Sequence, residues 1–175
     1  VKIHQSKGGI VIDGFDSIEI IGGELSFVDI SFDSITGFTA LERVEGDMKF
    51  TCSRVSETAT NATNLFTSFT SIGGDLRIIS GYCGFSNVGL DFLNNLTTIE
   101  GEIFIDKANL RSGLNGLETI GGNLYLKGVD EFTNLPNLLS VGGNIEIGGY
   151  GNVYPFGNID TNVSLNFPNL ETLGG

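Results

Sequence analysis

Four acidic residues, Glu24, Asp47, Asp75 and Glu102, recur at intervals of 23, 28 and 27 residues, each just ahead of a short run of alternating apolar residues. Carboxylates brought into one row could attract calcium. However, the chain has neither an EF-hand loop nor a Gly-Gly-x-Gly-x-Asp nonapeptide repeat, and a solvated acidic edge is the plainer reading. The only histidine, His4, lies in the least regular part of the chain, so a Ser-His-Asp or Cys-His arrangement would have to be built there. No His/Cys cluster has the spacing of a zinc site. Lys49 and Arg77 with their acidic neighbours make a thin version of the mixed acid-base groove used by polysaccharide lyases. The expectation is a non-catalytic protein without metal or cofactor. The residues left to meet a partner are Arg77, Phe104, Tyr125 and Lys127, together with Tyr150, Tyr154 and Phe156.

Those residues are positioned by a repeated phrase. "IEIIGGELSF" from Ile18 recurs as "LERVEGDMKF" from Leu41, "FTSIGGDLRI" from Phe69, "LTTIEGEIFI" from Leu96, "LETIGGNLYL" from Leu117 and "LLSVGGNIEI" from Leu138, and begins again at Leu170. The spacings are 23, 28, 27, 21, 21 and 32 residues. Before the glycines, apolar residues step by three, as in Leu114-Leu117-Ile120, but these runs are too short for a helix. After the glycines they alternate, as a strand with one buried face does. A fixed period of this length predicts a solenoid whose strands stack coil upon coil as a parallel sheet, with about six coils. A single coil buries too little apolar surface to offset the ordering of its chain, so the unit has to repeat. The second glycine of the phrase is present in all seven copies, whereas Glu45 and Glu100 replace the first. That asymmetry predicts a stricter backbone demand at the second, from either a positive φ or a corner with no room for Cβ. An imperfect copy, "IHQSKGGIVI" from Ile3, reads as a ragged capping coil over residues 1–14, with Ile10 and Ile12 in the strand positions.

The strand period of two then sorts each copy into inward and outward residues. Outward rows place Arg77, Phe104 and Tyr125 side by side, and Asp106 opposite Lys127. An aromatic pair flanked by charge suits a glycan- or protein-binding patch, and equally suits simple cross-strand stabilisation. The outward positions are too mixed for the regular threonine ladder that ice binding would want. The long insertion over 148–166, with Tyr150, Tyr154 and Phe156, either carries binding or folds over the last coils. Cys52 and Cys83 follow the strands of adjacent copies and could form a staple; free buried thiols are the alternative. Sequons at Asn61, Asn95 and Asn162 are near chance in a chain rich in Asn and Thr.

The pattern Leu-x-x-Ile-x-Gly-x-Leu-x-Ile, with apolar residues three apart before it, resembles the receptor L domain. This is the leucine-rich β-helix module of the insulin and epidermal growth factor receptors, also found in fungal GPI-anchored cell-wall proteins and bacterial surface proteins. The resemblance spans about residues 3 to 175. The chain departs from the receptor ectodomains in having two cysteines and no cysteine-rich module, and from the common leucine-rich repeat in having no evident asparagine ladder. The resemblance implies a right-handed β-helix of bacterial surface type, extracellular or on the cell surface, that binds or adheres to a protein or glycan. A carbohydrate-active β-helix enzyme and a structural spacer are the alternatives.

Bulk properties agree with one all-β domain over 1–175. The hydrophobic share is 40% and the charged share 17%. A formal net charge of −12 argues against nucleic acid as a partner. No stretch is apolar enough for a transmembrane segment. The chain starts at Val1 and stops within the phrase at "LETLGG", which reads as a fragment of a longer protein.

Overall fold

A computed structural model describes residues 1–4, 14–30, 37–53, 65–79, 87–129, 134–148 and 166–174. The described residues form an all-β parallel solenoid with almost no helix among them. Its long sheet runs β1 (Lys2–His4), β3 (Leu25–Val28), β5 (Met48–Thr51), β7 (Leu76–Ile79), β10 (Ile103–Asp106), β13 (Leu124–Lys127) and β15 (Ile145–Gly148), each paired in parallel with the next. A short sheet is built from the two residues before each Gly-Gly or Glu-Gly corner: β2 (Ile20–Ile21), β4 (Arg43–Val44), β6 (Ser71–Ile72), β9 (Thr98–Ile99), β12 (Thr119–Ile120), β14 (Ser140–Val141) and β16 (Thr172–Leu173). Two coils add a third side, β8 (Asn87–Leu90) paired with β11 (Asn109–Gly113). The solenoid amounts to about four turns rather than the six expected.

The core follows the two periods. Leu25 and Phe27, Met48 and Phe50, Leu76 and Ile78, Ile103 and Ile105, and Leu124 and Leu126 all point inward and are buried. They meet the three-step residues of the return path, such as Phe38, Leu41 and Val44, which are also buried. Phenylalanine concentrates in the first coils: Phe27 stacks on Phe50 at 5.3 Å, and Phe38 packs on Phe66 at 5.6 Å. Further along, Ile105, Leu126 and Leu117 fill the same volume with aliphatic groups.

The capping coil differs from expectation. Ile3 does not anchor a return path; it lies within β1, in register with Phe27, while Ile10 and Ile12 lie outside the described residues. The alternation Lys2-Ile3-His4 already makes a half-buried strand, and the open edge of β3 provides its partner.

The glycine corner also differs. No glycine of the repeated pair has a positive φ among the described residues. The demand is close approach: a Cβ on Gly122 would lie 3.0 Å from Glu102 N. The first glycine is the tighter of the two, since a Cβ on Gly121 would lie 2.0 Å from Glu100 O. Left-handed backbone occurs at a different corner, directly after the long-sheet strands, at Asp29, Cys52, Lys107 and Gly128, with φ from 51° to 58°.

Candidate recognition face

Register decides what the outer surface of the long sheet presents. Its central row reads Lys2, Ser26, Lys49, Arg77, Phe104, Tyr125 and Glu146, one residue per strand. Parallel strands stand about 4.8 Å apart, so these side chains form a line. The next row includes Thr51, Ile79, Asp106 and Lys127, with Asp106 opposite Lys127. Ser26 keeps its outward register yet is only 4% exposed, flanked by the longer Lys2 and Lys49.

The three residues singled out from the sequence do meet. The Phe104 and Tyr125 rings pack edge to face, with centroids 6.3 Å apart, and the Arg77 guanidinium lies 5.8 Å from the Phe104 centroid. Both rings are half-buried, and Lys127 is exposed. Of the other expected site residues, Tyr150, Tyr154, Phe156 and Cys83 lie outside the described residues. Cys52 is disulfide-bonded.

The acidic row is not a bare edge. Lys49 Nζ donates to Glu24 at 2.5 Å and stands 3.1 Å from Asp47. Arg77 donates to Asp75 at 2.8 Å and to Glu102 at 3.0 Å. The same aspartates also serve the backbone: Asp47 Oδ1 accepts from Asp75 N at 3.0 Å, and Asp75 Oδ1 from Glu102 N at 3.0 Å. Asn123 Oδ1 continues the series by accepting from Asn144 N at 2.8 Å. The charges shift accordingly. The Asp75 amide bonded to Asp47 holds that carboxyl below its ordinary range, assisted by Lys49. Glu24 and then Asp47 raise Lys49, and Asp75 raises Arg77. Each cation thus joins a carboxylate of its own coil to one of a neighbouring coil.

Reasoning from the sequence missed a second ladder, at the corner before the short sheet. Thr39 Oγ1 donates to Asp16, Thr67 Oγ1 to Thr39 O, and Asn95 Nδ2 to Thr67 O at 2.8 Å. Asn115 N donates to Asn94 Oδ1, Asn137 Nδ2 to Asn115 O, and Asn169 Nδ2 to Pro136 O at 2.7 Å. The signal was present, since these polar residues stand one or two places before each anchor. They do not match the asparagine position of the common leucine-rich repeat, where a ladder was sought. On the short sheet, Ser71, Thr98, Thr119, Ser140 and Thr172 also fall into one register row. The neighbouring Thr70 and Thr97 bond the previous coil's carbonyls at 3.3 and 3.2 Å.

No helix among the described residues is long and apolar enough to cross a membrane. No family model, curated protein or solved structure matches this chain.

Proposed function

We propose that this protein is a non-catalytic recognition module that binds a glycan or a protein through the outer face of its long sheet. The observation that carries the reading is the alignment of Arg77, Phe104 and Tyr125 on one outward row, with Arg77 and Tyr125 each in contact with Phe104. An aromatic pair backed by a fixed cation gives a preorganised contact area, with little side-chain freedom left to lose on binding. Weighing against a lyase-type groove is the engagement of Lys49 and Arg77, each by two carboxylates of its own sheet. In this reading the solenoid is of the receptor L-domain type, right-handed as parallel crossovers overwhelmingly are, and works in a secreted or surface-anchored protein.

The test compares wild type with Tyr125→Ala on a printed array of glycans and purified extracellular domains. Targets captured by wild type should be lost by Tyr125→Ala, whose melting temperature should stay within a few degrees because the ring is only half-buried. Equal capture by both proteins, or no capture by wild type, would sink the proposal.

A further inference from the structure

We infer that the partner of the Phe104–Tyr125 face is an uncharged glycan; this rests on the recognition reading above. The first reason is that Lys49 and Arg77, two cations in the same row as the rings, are already paired within the sheet. Lys49 and Arg77 each lie between two carboxylates, so an anionic polymer would have to displace Glu24, Asp47, Asp75 or Glu102 to reach them. Four carboxylates against two cations also leave this region negative, on a chain of net charge −12. Asp47 and Asp75 are no more open to a cationic ligand. Asp47 and Asp75 each give one oxygen to a backbone amide of the next coil and the other to a cation, so neither has an uncommitted oxygen.

The second reason concerns shape and polarity. The core of a protein interface is depleted of Lys and Glu, whereas Lys127 and Glu146 stand beside the rings of this face. Among the described residues, the strongly exposed large apolar groups are Val1, Ile20, Leu139, Ile147 and Leu173, and none stands at an outward position of the long-sheet strands. What the face does offer is aromatic ring surface at Tyr125, with exposed Glu146 beside it in register and Lys127 two residues on. A pyranose ring meets both needs: its C–H face stacks on an aromatic ring, and its hydroxyls exchange hydrogen bonds with the polar residues around it. Because no net charge is brought together, binding should be nearly indifferent to salt.

The whole chain is run by affinity electrophoresis in gels containing mixed-linkage β-glucan or glucomannan (uncharged), alginate or polygalacturonate (acidic), or chitosan (cationic). At least one uncharged polymer should retard it. The affinity should change less than about twofold between about 50 and about 500 mM NaCl. Tyr125→Ala should weaken retardation at least about tenfold, and Tyr125→Phe should largely restore it. Retardation by an acidic polymer or by chitosan that Tyr125→Ala abolishes would overturn this inference while leaving the recognition face standing. Absence of retardation by any polymer would also overturn it. Unchanged retardation of Tyr125→Ala in the uncharged gels would overturn both this inference and the assignment of the face.

Discussion

At the scale of single residues, the outer face is governed by side chains that do two tasks at once. Asp47 accepts a backbone amide from the next coil and pairs with Lys49. Its carboxyl titrates below the ordinary value of 3.8, so its stabilisation is present above that value and is lost as pH falls through the lower, folded value. Asp47→Asn would keep the amide acceptor, as Asn123 does in its own coil. We expect the variant to lose no more than about 1 kcal/mol at neutral pH, given its partly exposed ion pair. Its melting temperature should then fall less steeply than that of wild type between about pH 5 and about pH 3. Parallel thermal melts across that range check this; curves of equal slope would remove Asp47 from the acid response. The outward row was legible from the period of two alone. The double role of the aspartates was not, because it depends on how far the next coil lies above.

At the scale of elements, the corner glycines set how closely coils can stack. Gly121 faces Glu100 O, where a Cβ would sit 2.0 Å away, whereas a Cβ on Gly23 would meet nothing within 4 Å. Gly121→Ala should therefore cost about 2–4 kcal/mol, and Gly23→Ala about 0.5 kcal/mol or less, as read by urea denaturation. Equal losses would mean that steric approach is not what the corner demands. Identity of residue type predicted the corner, but the ranking of its two glycines was inverted. Glu45 and Glu100 occupy the first position in their own coils, which made it look permissive. The stacking partner above each of them, Gly73 or Gly121, is where the room runs out.

At the scale of the whole molecule, each coil is held mainly by its neighbours, so protection should be highest where the inward residues are buried and lowest where they are exposed. Ile147 and Leu173 occupy the inward register of Leu126 and Val141, yet they are 58% and 54% exposed, whereas Leu126 and Val141 are buried. Native-state hydrogen exchange should show the amides of β15 opening with lower free energy than those of β7 and β10. Uniform protection along the sheet would instead mark a fully cooperative block.

The sequence by itself determined the parallel solenoid, the strand positions after each glycine pair and the line of Arg77, Phe104 and Tyr125, because a fixed repeat forces equivalent residues into one register. Only the tertiary structure decided where the capping strand lies, which backbone positions turn left-handed and how the charges are shared. Edge pairing, corner dihedrals and the clamping of Lys49 and Arg77 all depend on distances between coils, which no single copy of the phrase encodes.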